Sequence, residues 1–237
     1  MKQNLSLLFL SWLFLSNSQM KDDQIPMLIP QTVNEKMGYI SQNGKFIISP
    51  EYHIAMFFSE DCNLLNSPNK NVAIFGTSEY ATVEKNEISY RIDKKGNRVY
   101  QYKTSDLGKC TSPYHSSIYK AFALNGTYGL VSKENIEISG YQDFDIYPQY
   151  QMVYVLESDR DNPMIIAVKN DKFGIVDKNN KIVIPFIYDD IKSNLSWKTA
   201  NLFEVSKNGS EFFFIDKNNN IYSQDIDMSE KTEYAKD

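Results

Sequence analysis

The chain has 237 residues, enough for one sizeable domain or a short array of repeats. Asp and Glu outnumber Lys and Arg, 30 to 25, for a net charge of −5, and no run of basic residues stands out. Binding nucleic acid requires a positive face to neutralise phosphates, so this composition argues against nucleic acid as a partner.

At the N-terminus one Lys, Lys2, precedes the apolar run LSLLFLSWLFL, and Ser16, Asn17 and Ser18 follow it. A short basic start, an apolar centre and small residues at the cleavage positions outline a secretory signal peptide at 1–18, cut between Ser18 and Gln19. The run from Leu5 to Leu15 is too short to span a bilayer as a helix. No Cys lies near the cut, which argues against a lipid anchor, and no later segment is expected to insert in a membrane. The expected location is therefore the periplasm, the cell surface or the exterior. Residues 19–32 read as a linker. Export would place Cys62 and Cys110 in an oxidising compartment, where they can pair across a long loop; two separate buried thiols are the alternative.

From residue 33 a pattern recurs. It reads GYISQNGK at 38–45, YRIDKKGN at 90–97, GLVSKEN at 129–135, GIVDKNNK at 174–181 and FFIDKNNN at 213–220, which aligns Ile40, Ile92, Val131, Val176 and Ile215. Each copy is a β-branched pair, a Ser or Asp, a Lys/Asn/Gly turn, and a second apolar run such as FIIS at 46–49, IEIS at 136–139 or IVIP at 182–185. Asn and Gly accept the positive φ that hairpin turns need. Ser41, Asp93, Ser132, Asp177 and Asp216 stand where a side-chain oxygen can bond the turn's own N–H groups. A third strand precedes several copies, as in KAFALNGTYGLV, IIAVKNDKFGIV and LFEVSKNGSEFFFI. An aromatic–acidic step follows, in which Tyr141 lines up with Tyr188 and Tyr52 holds a similar place.

The expected fold is all-β, an array of stacked antiparallel meanders built from about five degenerate repeats over 33–224, with a polar tail at 225–237. One meander cannot bury its own apolar face, so neighbours must stack, and the incomplete first and last copies read as capping units.

The copies resemble the WG (KWG) repeat family of short β-rich repeats. The fit is best in Lys172-Phe173-Gly174-Ile175-Val176-Asp177, followed by Ile184-Pro185 and Tyr188-Asp189. Met37-Gly38 with Ser49-Pro50-Glu51-Tyr52, and Tyr128-Gly129 with Tyr141, match in part. Met37, Tyr128 and Phe173 stand in place of the family's Trp, and the copies at 90–97 and 213–220 lack the Gly. The resemblance implies a repeat-built interaction module rather than an enzyme.

Chemistry-bearing patterns are few. Asp216, Asn218, Asn220 and Asp227 have calcium-loop spacing, but Ile221 replaces the required Gly, so a plain turn is the better reading. His53 and His115 sit in no recognisable motif, and the Cys and His spacing does not suit zinc. Asp189 and Asp190 point to opposite faces of a strand. Asn125, Asn194 and Asn208 begin glycosylation acceptor triplets. No metal, cofactor or catalytic residue is expected. The remaining candidates are the tyrosines of 141–154, namely Tyr141, Tyr147, Tyr150 and Tyr154. An exposed Tyr gives recognition area at low entropic cost, whereas most Tyr in a meander pack across strands. The expectation is an exported binding module for a protein or surface glycan, a basic secreted toxin being one candidate partner. A hydrolase of envelope polymers and a purely structural envelope protein are the rival readings.

Overall fold

The computed structural model describes residues 24–110, 117–156 and 160–223. The expected signal peptide and its expected cut at Ser18–Gln19, together with His115, Asp227 and the segment 225–237, lie outside the described residues.

The described residues form five small antiparallel sheets in sequence order. Sheet I holds β1 (Leu28–Val33), β2 (Lys36–Ser41) and β3 (Phe46–Tyr52). Sheet II holds β4 (Ile54–Phe58), β5 (Ala81–Lys85), β6 (Ile88–Ile92) and β7 (Arg98–Gln101). Sheet III holds β8 (Tyr119–Leu124), β9 (Thr127–Ser132) and β10 (Ile146–Tyr150). Sheet IV holds β11 (Met152–Val155), β12 (Met164–Lys169), β13 (Lys172–Asp177) and β14 (Ile182–Tyr188). Sheet V holds β15 (Asp190–Ile191), β16 (Phe203–Ser206), β17 (Phe212–Ile215) and β18 (Ile221–Tyr222). The first strand begins at Leu28, inside the segment read as a linker, because Leu28, Ile29 and Pro30 are all buried against β2 and its neighbours.

The turns carry the chemistry their sequences predict. Asp177 Oδ1 accepts the backbone N–H groups of Asn179 and Lys181, each at 2.9 Å. Asp93 does the same for Lys95 and Asn97, and Asp216 for Asn218 and Asn220. The second oxygen of Asp216 accepts from Asn220 Nδ2 and Tyr222 Oη, so the turn itself engages the carboxylate that calcium-loop spacing would offer a cation. Ser132 departs from the pattern. Its Oγ caps a helix, α3 (Lys133–Ser139), by accepting Asn135 N–H, and Gly140 ends that helix at φ 61°. The IEIS run expected as a strand is therefore helical. The third strand of sheet III comes later, as β10, and Tyr150 rather than Tyr141 is the counterpart of Tyr52 and Tyr188.

Glycine marks the close approach between the second and third strands. A Cβ on Gly129 would lie 2.2 Å from Ile146 O, and one on Gly38 would lie 2.4 Å from Ile48 O. No side chain fits there. The same strand pair holds the register break in sheets I, III and IV.

Four buried clusters join the sheets among the described residues, each in the same sense. The residue just before the aligned position faces the next sheet, and the aligned residue faces the previous one. Tyr39 meets Ile92 between sheets I and II, Leu130 meets Val176 between III and IV, and Ile175 meets Ile215 between IV and V. The relation then returns to the start, since Phe214 of sheet V packs with Ile40 and Ile29 of sheet I. Phe57 adds an edge-on ring contact to Phe214, centroids 5.2 Å apart. The terminal repeats pack on each other instead of capping two free ends. The apolar face of each is covered by the other, which removes the need for a polar outer surface.

Hydroxyl latches repeat across these joints. Tyr150 Oη donates to Asn180 Oδ1, and Tyr188 Oη donates to Asn219 Oδ1, both at 2.6 Å. Each Asn is the left-handed turn residue of the following sheet, at φ 63° and 61°. A buried third-strand Tyr thus reads the turn of the next repeat. Between sheets I and II the turn residue is Gly96, so Tyr52 finds no Asn there.

Candidate functional site

The cyclic relation is broken once, between sheets II and III. The residue of sheet II that should face onward is Arg91, in register with Tyr39, Leu130, Ile175 and Phe214. Its side chain is 2% exposed. It faces an insert between β4 and β5 made of α1 (Cys62–Leu65), α2 (Lys70–Ala73) and a 3-10 turn (Ile74–Gly76). Arg91 Nε donates to Phe75 O at 2.9 Å, and Nη2 donates to Ser59 O and Thr77 O at 3.0 and 2.9 Å. Nη1 donates to Thr82 Oγ1, which pairs with Tyr102 Oη, and Tyr102 donates to Asp61 Oδ2 at 2.7 Å. Asp61 Oδ1 caps α1 through the N–H groups of Asn63 and Leu64. Burial, with the Asp61 carboxylate beside it, pushes the Tyr102 hydroxyl up to about 12. Cys62, at the start of α1, is bonded to Cys110, the Cα atoms 5.3 Å apart. A planar five-donor group is what such a join requires, because the insert offers carbonyl oxygens where a sheet would offer methyl groups.

On the other side of the break, sheet III presents aromatic rings. Phe122 lies opposite Gly129 across β8 and β9. Tyr141, in the turn after α3, stacks on Phe122 with centroids 5.0 Å apart. Phe144 leans on Phe122 at 5.4 Å, and Tyr147 meets Phe144 edge-on at 5.6 Å. Tyr147 is 64% exposed and Tyr141 46%. Exposed Ile138 of α3 and Leu124 of β8 lie on the same sheet or its helix. The four linked rings fix one another's orientation, which lowers the rotamer entropy a partner would have to freeze.

Of the four tyrosines singled out in the sequence, Tyr141 and Tyr147 therefore share one surface. Tyr150 does not; it is 3% exposed, packed in the cluster between sheets III and IV and latched to Asn180. The alternation along β10 turns it to the opposite face from Tyr147. Tyr154 is exposed but sits on β11 of sheet IV, opposite Ile166, outside the ring cluster. Phe122 and Phe144 were missed by the sequence reading. Phe122 comes to the cluster only through the β8–β9 pairing, which sets it opposite Gly129.

The model of the WG containing repeat family matches residues 37–62 and 173–209. Those two segments are WG-type repeats. No curated protein and no solved structure matches the chain. The two matched WG segments fall in sheets I–II and IV–V, where the repeats pack in the regular sense. The residues standing for the family's Trp have divided roles. Met37 and Phe173 pack against buried clusters, and Met37 Sδ accepts Ala55 N–H at 3.3 Å. Tyr128 is exposed. The departures from the WG pattern are concentrated where the regular packing stops, in the insert on sheet II and in α3 with the aromatic face of sheet III.

Proposed function

We propose that this chain is an exported, non-enzymatic WG-repeat module that binds a protein partner through the aromatic face of sheet III. The observation that carries the reading is the ring cluster Phe122, Tyr141, Phe144 and Tyr147, in which half-buried Phe122 and Phe144 back the exposed Tyr141 and Tyr147 and which none of the four intersheet clusters includes. Clustered rigid aromatics beside exposed aliphatic side chains are the composition of protein-binding hot spots. The Cys62–Cys110 bond and the apolar N-terminal run support export. The net negative charge favours a basic partner, and a secreted basic toxin fits that chemistry.

Acid–base chemistry finds less support. The carboxylates beside the groove between sheets V and I are engaged, Glu204 by Lys192 and Asn194, and Glu211 by Asn208. The test is a quantitative pull-down from the native cell envelope with the parent chain and with the Tyr141→Ala/Tyr147→Ala double variant. A protein retained by the parent and lost with the double variant supports the reading. Equal recovery by both, or turnover of a glycan panel by the parent, sinks it.

A further inference from the structure

Where sheet V meets sheet I, residues 30–34 of β1 and its turn form one wall of a groove of about 1010 Å³, and α4 (Ser196–Ala200), β16 and β17 form the other. β4 lines it too, but β4 pairs with β5 and meets sheet I through its face, with Ala55 packed in the cluster of Leu28 and Tyr39. β1 is therefore an edge strand among the described residues.

In the other regular joins, such an edge is covered by the chain arriving from the preceding sheet. β3 ends at Tyr52 and β4 begins at Ile54, β10 ends at Tyr150 and β11 begins at Met152, and β14 ends at Tyr188 and β15 begins at Asp190. Each time a single residue separates the third strand of one sheet from the outer strand of the next. That crossing residue donates its N–H to the next sheet, His53 to Glu84 O, Gln151 to Val168 O and Asp189 to Ser206 O, all at 2.8 Å. Two positions further on, Ala55, Val153 and Ile191 turn inward and are buried. Sheet III has three strands because it follows the broken join. After β7 the chain turns through Tyr102 to Asp61 of the insert, and β8 gains no outer strand among the described residues. The join from sheet V to sheet I is regular, with Phe214 packed on Ile29 and Ile40, so its outer strand is due from the residues that follow β18.

The acceptor for that strand is Thr32 O. Glu84 and Val168 each stand two residues before the left-handed Asn of their turn, Asn86 and Asn170, and Thr32 stands in the same place before Asn34. Thr32 O takes its hydrogen bond from Gln31 Nε2 at 3.1 Å, a side-chain amide where the other sheets present a main-chain N–H. Gln31 is 9% exposed, and its Oε1 has no partner among the described residues. A buried acceptor left unmet is costly, which marks this arrangement as a substitute for the strand.

We propose that residues 224–237 of this chain supply the fourth strand of sheet I, crossing from β18 to lie along the outer edge of β1 with a main-chain N–H donated to Thr32 O in place of Gln31 Nε2. Ser223, the last described residue, lines the groove together with Thr32, so the segment starts inside it. Ile226 and Met228 are the apolar residues near its start, suited to the inward place that Ala55, Val153 and Ile191 hold in the other sheets. Glu230, Lys231 and Glu233 follow, the composition of a solvent-facing edge strand. Pro30 brings no N–H to the pairing, which anchors it at Thr32. The added strand would tie the last repeat to the first by main-chain bonds as well as by packing. The inference is independent of the aromatic face.

The test is photocrosslinking in the full chain, with a photoreactive residue in place of Thr32, which is exposed on β1, and in a separate variant in place of Ile47 on β3. Linked peptides are identified by mass spectrometry over a range of protein concentrations. The expected result is a link from position 32 into 224–237, absent from position 47, with a yield that does not change with concentration. The Ile226→Pro/Met228→Pro double variant takes two N–H groups out of the segment and should lower that yield at least about tenfold. Should the position-32 variant fail to fold, the same residue at Met56, exposed on β4 and lining the groove, gives the reading. No link into 224–237 overturns the proposal, as does a link that the two prolines leave unchanged. A yield that rises with concentration would assign the groove to a second copy, and an adduct with another protein in place of the internal link would assign it to a partner. Either result also overturns the proposal.

Discussion

Replacing Arg91 with Leu tests the break in the repeat. Leucine is the residue that sheet III uses at the same register position, as Leu130, so the change restores the regular repeat chemistry on an irregular neighbour. It strips three main-chain acceptors, Ser59 O, Phe75 O and Thr77 O, of charged donors, together with Thr82 Oγ1. Leaving a buried acceptor unmet costs about 1–3 kcal/mol. The insert is close enough to solvent for partial rehydration, so the lower figure is the appropriate one for each carbonyl. That gives a loss of about 3 kcal/mol, or a fall in Tm of about 6–12 °C for a chain of this size. The damage should begin locally. Proteolysis and hydrogen exchange should rise in 59–80 before the other sheets respond, and Arg91→Lys, with fewer donors and no fork, should fall between the two. Circular dichroism melts and limited proteolysis measure both effects. If Arg91→Leu melts within about 1 °C of the parent and the insert stays protected, the guanidinium is not what holds it, and the account of the break is wrong.

Three further outcomes follow from the same contacts. Tyr188→Phe removes the latch to Asn219 without changing packing and should lower stability by about 1 kcal/mol, read by urea denaturation, whereas Tyr147→Phe, on the exposed face, should change nothing. Reducing Cys62–Cys110, or replacing both with Ser, should lower stability by about 4 kcal/mol, because the bond closes a loop of 48 residues; a melt unchanged by reductant contradicts this. Tyr102 has its hydroxyl held protonated by burial, up to about 12 against an ordinary 10.0. Its folded value is raised, so its contribution is complete below pH 10.0 and is lost as the pH climbs toward about 12. Urea midpoints across that range should decline more steeply for the parent than for Tyr102→Phe.

The hairpins were legible because their signals are local. An Asp or Ser before a Lys/Asn/Gly turn bonds the turn's own N–H groups, and Asp93, Asp177 and Asp216 do so whatever the rest of the chain does. The α3 segment was misread because Ile136 and Ile138 alternate as in a strand. The Ser132 cap and the left-handed Gly140 outweigh that alternation over so short a run. That error carried Tyr141 into the place belonging to Tyr150. The aromatic face was half visible. Tyr141 and Tyr147 are near in sequence, while Phe122 joins them only through the β8–β9 pairing. The return of sheet V onto sheet I, and Arg91 as the point where the cycle breaks, depend on contacts between distant repeats that no local pattern encodes.

The most direct test of the proposed role is site-specific photocrosslinking in the native cells. A photoreactive residue is placed at Tyr147, and another at Ile47, also an exposed position, on sheet I. The account predicts one discrete protein adduct from position 147 that position 47 does not give. The same adduct from both positions, or none from position 147, would contradict it.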